Sequence, residues 1–422
     1  MSSFDDELIY CSFCGNEPDP MEGRILIQGL NGVHICTHCV DEIKKTVSRY
    51  QSYSASKSLF KNKDIKPSKI LEYLNQYVVG QEHAKMVLSV AVYNHHKFLE
   101  YKSIPNPPVE VEKSNICLVG PTGSGKTYMV KQIAKILDVP FAIADATTLT
   151  EAGYVGEDVE SVIQKLYDAA DGDIEKTERG IVYIDEIDKL SRKSRHPQTS
   201  RDVGGEGVQQ ALLKMIEGTE VAITEKGARK GPMSSVVHID TSNILFIVGG
   251  SFEGIEEVIR ERQNKNIKTV IGFNAPQRSS KEEKTFNELV LDIRAEDLRN
   301  FGMIPEFIGR LPVICPMTEL GKEELIRILT EPKNAIVKQY QEMFKLEGVD
   351  LHFTKEALEE IAEEAIKRKT GARSLRSIME EVLLKHMFYI PDDQNIRRLT
   401  FTAGCVTEKK DPIVEDGGQK EM

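Results

Sequence analysis

The eight residues "GPTGSGKT", which run from Gly120 to Thr127, constrain the fold of this 422-residue chain more than any other stretch. They match the pattern G-x4-G-K-[ST], follow the apolar run "NICLVG" and open the helical pattern "GKTYMVKQIAKILD". In that context, backbone N–H groups of a glycine loop and of a helix N-terminus surround phosphate oxygens. We therefore predict a phosphate-binding loop, with Lys126 on the outer phosphates of ATP and the Thr127 hydroxyl on Mg²⁺. The predicted nucleotide contacts are Gly120, Pro121, Thr122, Gly123, Ser124, Gly125, Lys126, Thr127 and Tyr128.

A pair of acidic residues ends a second apolar run, "GIVYIDEIDK", which we predict to be another strand. Asp185 suits coordination of Mg²⁺, and Glu186 suits orienting and deprotonating the attacking water, two tasks that one carboxylate could not easily perform. Acidic residues also end strands by chance, but the phosphate loop disfavours that interpretation. The pair therefore predicts hydrolysis of ATP.

Four apolar runs, "NICLVG", "FAIADA", "IVYIDE" and "NILFIVGG", alternate with helical patterns, which predicts an α/β fold with a parallel sheet. From Glu319 the pattern changes to amphipathic helices of 3.6-residue period, with "LHF" and "RRLTF" as candidate strands. This region predicts a smaller helical lid domain, and the polar residues from Thr407 onward predict a disordered tail. Cys405 is expected to begin that polar tail, whereas Cys117 and Cys315 lie in apolar runs and are expected in the core.

Four cysteines near the N-terminus form two Cys-x2-Cys knuckles with 21 residues between them: Cys11, Cys14, Cys36 and Cys39. Four thiolates at this spacing can hold one tetrahedral zinc ion, and a segment this short has too small a core to fold well without such a metal. The alternative is a pair of disulfides, which a reducing cytoplasm disfavours. We expect His34 and His38 near the metal or on the surface, because four cysteines already complete the tetrahedron.

These patterns divide the chain into five predicted segments. They are a zinc-binding domain (1–48), a flexible linker (49–66), a large ATPase domain (67–318), a small helical lid domain (319–403) and a flexible tail (404–422).

Composition excludes some functions. The net charge is -11, and basic residues are spread along the chain, which argues against a general nucleic-acid coat. No stretch approaches 18 apolar residues, and the N-terminus "MSSFDDELIY" lacks the basic and apolar regions of a signal peptide. We therefore expect a cytoplasmic protein without a membrane span.

The stretch "EAGYVGED" places Tyr154 between two glycines, before acidic residues that suit the first turn of a helix. Three interpretations of this tyrosine are open: an ordinary turn residue, an aromatic that stacks on a ligand, or a loop tip that grips a large moving partner. We expect Glu157 and Asp158 to begin the helix that follows.

Taken in order, the zinc knuckles, "YVVGQEHAK", "GPTGSGKT", "GYVGED", "IVYIDEIDK", "TVIGFNA", "IPEFIGRLPV" and "GARSLRS" resemble the ClpX family of AAA+ unfoldases. The resemblance runs from about Cys11 to Phe401. The residues alone predict a zinc-bearing ATPase with a helical lid. The resemblance adds a homo-hexameric ring, tagged or unfolded protein substrates with adaptors, and the ClpP peptidase as partner, since the chain has no protease motif of its own.

The resemblance also assigns roles around the nucleotide. Arg310 in "PEFIGRLP" matches the arginine that reaches a neighbouring subunit's nucleotide, although an arginine there could also form a surface ion pair. Arg373 in "TGARSLRS" matches the sensor arginine of the lid, and a plain helix-start arginine would also fit. Val78 and Val79 match an adenine-contacting turn, and would otherwise be core residues.

Three further segments gain roles from the resemblance. Tyr154 and Val155 match a pore loop that grips substrate, and Arg201 and Asp202 in "SRDVGGEG" match a second pore loop. The tripeptide Ile271, Gly272 and Phe273 lies between polar runs and matches the loop that docks on ClpP; without the resemblance, burial in the core would remain open.

Two departures from the family pattern stand out. The chain has Arg229-Lys230-Gly231 where the family often has Arg-Lys-His, which puts substrate choice at the ring entrance in doubt. The run "NILFIVGGS" ends in glycines where many AAA+ ATPases present a polar sensor, so no first-sensor residue is predicted.

Two other functions fit a phosphate loop. A nucleic-acid motor is disfavoured by the acidic balance and by the absence of a basic stripe with interleaved aromatics. An ATP-gated binding scaffold is disfavoured by the intact pair of Asp185 and Glu186.

Overall fold

The computed structural model describes residues 10–19, 24–29, 32–43, 65–150, 157–191, 205–225, 236–268, 284–392 and 395–416. The chain divides into two units, one of residues 1–64 and 97–111 and the other of residues 65–96 and 112–422. Several predicted sites and most of the predicted linker lie outside the described residues. These sites are Tyr154, Val155, Arg201, Asp202, Arg229, Lys230, Gly231, Ile271, Gly272 and Phe273.

The described strands are β1 (Leu26–Gln28), β2 (His34–Cys36), β3 (Ile116–Val119), β4 (Phe141–Asp145), β5 (Leu149–Thr150), β6 (Glu157–Asp158), β7 (Ile181–Asp185), β8 (Glu220–Thr224), β9 (Val236–Asp240), β10 (Leu245–Gly250), β11 (Val313–Pro316), β12 (Asp350–Phe353), β13 (Ile396–Phe401) and β14 (Ile413–Asp416).

The described α-helices include a short one at residues 37–43. The others are Pro67–Asn75, Glu82–Lys102, Lys126–Leu137, Ser161–Ala169, Ile174–Thr177, Gly205–Glu217, Ile255–Lys268, Phe286–Val290, Ala295–Phe301, Pro305–Gly309, Lys322–Thr330, Ile336–Leu346, Lys355–Lys367, Arg373–Tyr389 and Ala403–Thr407. Short 3-10 turns span Ala146–Thr148, Ile187–Leu190, Thr241–Asn243 and Ile390–Asp392. Within the described residues, no helix is long and apolar enough to cross a membrane.

Five parallel strands form the central sheet of the larger unit, in the order β11-β3-β10-β7-β4. The inner strands β3, β7 and β10 are almost wholly buried, because parallel sheets are covered on both faces and their strands are therefore apolar throughout. The prediction of an α/β fold with a parallel sheet is confirmed. Cys117 and Cys315 lie buried on neighbouring strands, also as predicted.

The two faces of this sheet carry two hydrophobic cores. Along β3, Cys117 and Val119 pack into one core, while Ile116 and Leu118 pack into the other, as the two-residue period of a strand requires. The helix Lys126–Leu137 packs on the second face through Met129, Val130 and Ile133. The phosphate loop therefore begins at the carboxyl end of β3, where the strand turns into this helix.

The region from residue 320 onward has its own core of leucines, isoleucines and aromatics. Four amphipathic helices surround it, together with a sheet in the order β12-β13-β14. The predicted amphipathic helices are confirmed, and so are the candidate strands, which form β12 and β13.

Two predictions are wrong at the level of single elements, and one strand was missed. The polar tail is ordered to Asp416: Cys405 lies in the short helix Ala403–Thr407 and is buried in the core of this region, and β14 pairs antiparallel with β13. Only residues 417–422 of the predicted tail lie outside the described residues. Backbone hydrogen bonds to β13 stabilise β14. The side chains of β14 are exposed, and they therefore leave no alternation of buried and exposed residues that the sequence could reveal.

The helix expected at Glu157 begins later, at Ser161. Glu157 and Asp158 instead form β6, which pairs in parallel with β5. Their carboxylates are exposed, and Glu157 accepts a hydrogen bond from Lys165 Nζ at 2.6 Å.

The strand β11 was missed, because the apolar run "PVICP" is short and flanked by prolines. As an edge strand it tolerates Pro316 at its end.

Candidate functional site

The four N-terminal cysteines lie together in the smaller unit. Cys11 and Cys14 flank a turn, Cys36 ends β2, and Cys39 lies in the helix at residues 37–43. Their sulfur atoms lie within 4.8 Å of one another, and the Sγ atoms of Cys14 and Cys36 are 3.8 Å apart. A tetrahedral zinc site with Zn–S bonds of about 2.3 Å has sulfur–sulfur edges of about 3.8 Å. The four residues therefore fit one zinc ion.

The surroundings of the sulfurs favour a bound cation. Burial raises the pKa of the Cys11 thiol, but hydrogen bonds from backbone N–H groups outweigh it and lower the pKa to about 6. Burial and hydrogen bonds to the other cluster sulfurs raise the pKa of Cys39 to about 12. Four sulfurs this close repel one another as thiolates unless a cation lies between them. Among the described residues, His34 and His38 do not join the cluster.

A cleft of about 620 Å³ opens at the carboxyl edge of the central sheet, a size typical of small-molecule sites. Its lining combines the phosphate loop, the acidic end of β7 and the first residues of two lid helices. From the large domain come Tyr77, Val78, Val79, Thr122, Gly123, Ser124, Gly125, Lys126, Thr127, Tyr128, Asp185, Glu186, Lys189, Ser251 and Glu253. From residue 320 onward come Leu320, Ile328, Pro332, Asn334, Ile336, Gln339, Ala372, Arg373 and Arg376.

The phosphate loop needs glycine at two positions for its backbone conformation. Gly123 and Gly125 have φ values of +80° and +98°, a region that residues with a Cβ rarely adopt. A Cβ on Gly123 would also lie 2.2 Å from the carbonyl oxygen of Thr370, and the N–H of Ala372 donates to the Gly123 carbonyl at 3.3 Å. The loop therefore touches the segment that begins the helix of Arg373.

Lys126 is buried below the loop. Its Nζ donates to the carbonyls of Gly120 at 2.5 Å and Pro121 at 3.0 Å. Burial lowers its pKa, and the nearby carboxylates of Asp185, Asp188 and Glu186 oppose that shift. The ammonium group thus makes contacts within the loop that phosphate oxygens can replace.

Adjacent acidic residues at the end of β7 have different surroundings. Asp185 Oδ2 accepts from the Thr127 hydroxyl at 2.7 Å, and Oδ1 accepts from the Tyr183 hydroxyl at 3.1 Å and from the Glu186 N–H at 3.0 Å. Glu186 has a left-handed backbone with φ of +56° and an exposed side chain. Such a backbone costs a non-glycine residue about 1–2 kcal/mol and recurs at functional sites.

Val78, Val79 and Arg373 all lie at the cleft, while their roles toward the nucleotide stay predictions. Val78 and Val79 are only 7% and 8% exposed, so they belong to the core and also line the cleft. Arg373 is the first residue of its helix and also lines the cleft. These placements bring the predicted base-contacting residues and the predicted lid arginine to the phosphate loop.

Arg310 lies away from this cleft. Its Nε donates to Glu217 Oε1 at 2.8 Å, and both side chains are about half exposed, which is the surface ion pair considered above. Its backbone carbonyl accepts from Asn115 Nδ2 at 3.1 Å. Asn115 immediately precedes β3, whereas Gly120 follows β3, so Arg310 lies at the edge of the sheet opposite to the phosphate loop.

The sequence missed several polar groups of the cleft. Ser251 follows β10, and its N–H and hydroxyl donate to the buried Asp188 carboxylate at 3.0 and 3.1 Å. The available sequence signal was that polar Ser251 directly follows Gly249 and Gly250. It was missed because the two glycines indicated that the strand ends without a polar sensor residue. Asn334, Gln339 and Arg376 were missed because they reach the cleft only through folding of the distant lid.

Comparison with known proteins agrees with this architecture. Three family models match: an AAA domain of the Cdc48 subfamily over residues 111–314, the C-terminal, D2-small domain of ClpB protein over residues 320–398, and a ClpX C4-type zinc finger over residues 9–49. The last match and the sulfur geometry confirm the predicted zinc-binding module.

Among the relatives, one that covers almost the whole chain shows the family. It is the ATP-dependent Clp protease ATP-binding subunit ClpX of Treponema denticola, 50% identical over 396 residues, which cover 93% of this chain and 92% of that protein. With the cleft, the zinc finger and the lid in place, this identity shows that the chain belongs to the ClpX family of AAA+ ATPases.

Proposed function

We propose that the chain is an ATP-driven protein unfoldase and translocase, which works as a homo-hexameric ring in the cytoplasm and delivers protein substrates to the ClpP peptidase. The observation that carries the proposal is the cleft itself, where a phosphate loop, two acidic residues with different surroundings and a lid arginine meet. The name of the Treponema relative, which describes the ATP-binding subunit of a protease, supports a peptidase partner. The domain boundaries 67–318 and 319–403 belong to the same proposal.

Within the cleft, we assign roles in hydrolysis to four polar residues. The Thr127 hydroxyl and the Asp185 carboxylate, 2.7 Å apart, are oxygen donors of the kind that Mg²⁺ prefers, and we assign the cation to them. The cation would neutralise charge on the phosphates. Lys126 would leave its loop carbonyls for the outer phosphates, and the exposed Glu186 would deprotonate the attacking water.

The position of Arg310 supports a ring. The sheet separates this side chain from the cleft of its own subunit, so its guanidinium can meet a nucleotide only when a second subunit brings a cleft to it. A guanidinium supplied in this way raises phosphate hydrolysis by about 10³–10⁵-fold in other enzymes. Six-fold closure of the ring follows from the family alone.

The contact between the phosphate loop and the lid supports force transmission. The N–H of Ala372, the residue before Arg373, donates to the Gly123 carbonyl. A change at the phosphates would therefore reach the lid through this hydrogen bond and through the Arg373 side chain, which lines the cleft. Rotation of the lid against the large domain would then move the segment 151–156, whose flanking strands β5 and β6 pair with each other. Tyr154 and Val155 in that segment, with Arg201 and Asp202, are assigned to the substrate pore.

The sharpest test separates a protein motor from a nucleic-acid motor. We expect an unstructured protein to stimulate ATP hydrolysis and DNA to leave it unchanged, and we expect ATP-dependent unfolding of a stable tagged protein. Stimulation by DNA alone would favour the nucleic-acid motor and reject the proposal. Hydrolysis that drives no unfolding would favour an ATP-gated scaffold.

The docking tripeptide has its own test. Replacing Phe273 by alanine should leave ATP hydrolysis and unfolding unchanged while degradation by added ClpP is lost, because the side chain that fills the partner's pocket is gone. Equal degradation by the variant and the parent protein would remove Ile271, Gly272 and Phe273 from the interface.

A further inference from the structure

Tyr183 is a fully buried tyrosine two residues before the acidic pair. Its exposed fraction is 0%, and its ring packs in the core on the face of the sheet that also holds the helix Lys126–Leu137. Residues two apart in a strand share a face, so its hydroxyl reaches the Asp185 carboxylate, where it donates to Oδ1 at 3.1 Å. A buried phenol whose hydroxyl contacts both the Asp185 carboxylate and the Thr127 side chain at the cleft calls for a functional explanation.

The neighbouring strand leaves room for this hydroxyl. In the register of β10 with β7, Ile247 lies beside Tyr183, and Gly249 lies two residues further towards the cleft. A Cβ on Gly249 would lie 2.2 Å from the Tyr183 hydroxyl oxygen and 2.9 Å from the ring carbon that bears it. Gly249 therefore does more than leave the strand without a sensor side chain. Because it has no Cβ, it leaves space for the Tyr183 hydroxyl of the neighbouring strand β7.

The hydrogen bonds fix which oxygen of Asp185 faces the phosphate loop. Oδ1 accepts from Tyr183 and from the Glu186 N–H, while Oδ2 accepts from the Thr127 hydroxyl. Without the tyrosine hydroxyl, Oδ1 keeps one donor from a backbone with positive φ, and the carboxylate gains freedom to rotate about its terminal bond.

We infer that Tyr183 is a positioning residue for Mg²⁺: its hydroxyl, in the space left by Gly249, holds the Asp185 carboxylate so that Oδ2 is presented beside Thr127. This inference rests on the assignment of Mg²⁺ to Thr127 and Asp185 above. Partners that orient a metal-binding carboxylate are typically worth about 10–100-fold in metal affinity.

The test is equilibrium binding of a fluorescent ADP analogue during a Mg²⁺ titration, which needs no hydrolysis. In Tyr183→Phe, we expect the Mg²⁺ concentration at half-maximal enhancement of binding to rise about 10–100-fold, while binding in EDTA stays at the parent value. An unchanged Mg²⁺ midpoint would overturn the inference. An equal loss of binding with and without Mg²⁺ would also overturn it, because that pattern indicates a packing defect.

Tyr340→Phe is the matched control. Tyr340 is also buried and donates its hydroxyl to a carboxylate, Glu380 Oε1 at 3.0 Å, but it lies in the lid core and does not line the cleft. We expect its Mg²⁺ midpoint to equal that of the parent protein. A shift as large as that of Tyr183→Phe would show that any lost tyrosine hydroxyl produces it, which contradicts the inference.

A double variant tests the route through Asp185. In Asp185→Asn, the carboxylate is gone, so adding Tyr183→Phe should change the Mg²⁺ midpoint no further. Additive effects of the two substitutions would show that Tyr183 acts elsewhere. If the parent protein itself binds nucleotide without any Mg²⁺ dependence, the proposed ATPase cleft fails first, and that outcome is distinct from a shift confined to the variants.

Discussion

At the scale of single residues, the neighbours Asp185 and Glu186 show how one dipeptide supports two tasks. Asp185 is held by three hydrogen-bond donors, whereas Glu186 is exposed and turned by a left-handed backbone away from the strand direction. The first carboxylate is fixed for a cation and the second is free to meet water. Both residues line the cleft, and their roles as the Mg²⁺ ligand and the base stay predictions. The hydrogen-bond donors that distinguish them could not be predicted from the sequence.

Replacing Glu186 by glutamine should therefore remove turnover and keep binding. We expect ATP hydrolysis to fall about 10²–10⁴-fold, the usual contribution of a general base, because the phosphate and cation contacts remain. Nucleotide affinity, measured by equilibrium binding, should stay near the parent value.

The matched variant is Lys126→Ala, which should weaken nucleotide binding itself, because it removes the ammonium group from the phosphates. If Glu186→Gln hydrolyses ATP at the parent rate, Glu186 is not the base. If both variants lose nucleotide binding to the same extent, the assignment of binding to Lys126 and of hydrolysis to Glu186 is wrong.

At the scale of elements, the sequence revealed those whose burial is continuous or periodic. The inner strands β3, β7 and β10 are apolar runs, and the lid helices repeat every 3.6 residues, so both were predictable. The edge strands β11 and β14 were not, because backbone pairing with β3 and β13 stabilises them and their own side chains carry little pattern. The same reason explains why β6 appeared to be a helix start.

The contact between the phosphate loop and the lid gives a prediction about elements. Gly123→Ala combines a positive φ with a Cβ 2.2 Å from the Thr370 carbonyl oxygen, so the loop and the lid segment must move apart. We expect nucleotide affinity to fall at least 10-fold and ATP hydrolysis with it, measured by equilibrium binding and by phosphate release.

Gly348→Ala is the control for backbone strain alone. Gly348 has a φ of +78°, almost that of Gly123, but a Cβ there would meet only the end of the Arg397 side chain at 3.9 Å. We expect a loss of stability of about 1–2 kcal/mol without a change in nucleotide affinity. Equal affinities in the two variants would show that the loop and lid contact is not needed for binding.

At the scale of the whole molecule, the cleft and the arginine that would complete it lie at opposite edges of one sheet. Local motifs predicted the phosphate loop and the acidic pair separately, and the family resemblance assigned Arg310. Their distance could not be read from the sequence, since it depends on where Pro305–Gly309 packs in the fold. Because of this geometry, two variants that are each inactive alone can be mixed to test whether the subunits form a ring.

Co-assembly of Glu186→Gln subunits with Arg310→Ala subunits should restore ATP hydrolysis that neither protein has alone. In a randomly mixed ring, about a quarter of the clefts combine an intact Glu186 with an intact Arg310 from the neighbour, given a closed symmetric arrangement. The measurement is ATP hydrolysis as a function of mixing ratio, after assembly has been checked by sedimentation.

The control is Glu217→Gln, which breaks the exposed ion pair but keeps Arg310. Such pairs contribute about 0–1 kcal/mol, so hydrolysis should persist in this variant. If mixed rings form without regaining hydrolysis, Arg310 does not act on a neighbour's nucleotide.

The predicted pore residue Tyr154 separates hydrolysis from mechanical work. In Tyr154→Ala, we expect ATP hydrolysis to persist or accelerate and unfolding of a stable tagged protein to collapse, because an aromatic can press on any polypeptide and alanine cannot. The readout is protein unfolded per ATP consumed. A variant that unfolds the stable substrate with parent efficiency would make Tyr154 an ordinary turn residue.

The distribution of the cysteines makes the zinc cluster open to selective chemical labelling. Cys117, Cys315 and Cys405 are buried, which limits their contact with a reagent. Burial also raises the pKa of Cys117 beyond its usual range and that of Cys315 to about 12, so the reactive thiolate forms of Cys117 and Cys315 are scarce at neutral pH. With zinc bound, a thiol reagent should react slowly. Chelation removes the metal that the short zinc-binding segment needs to fold, so the four cysteines lose the contacts that shift their pKa values, and four equivalents should react quickly while the nucleotide cleft still binds ATP. Rapid reaction of four thiols before chelation would show that no metal protects them, and reaction of all seven would show that zinc also stabilises the ATPase unit. A reagent that counts thiols therefore reports on metal occupancy in the intact chain, without removal of either unit.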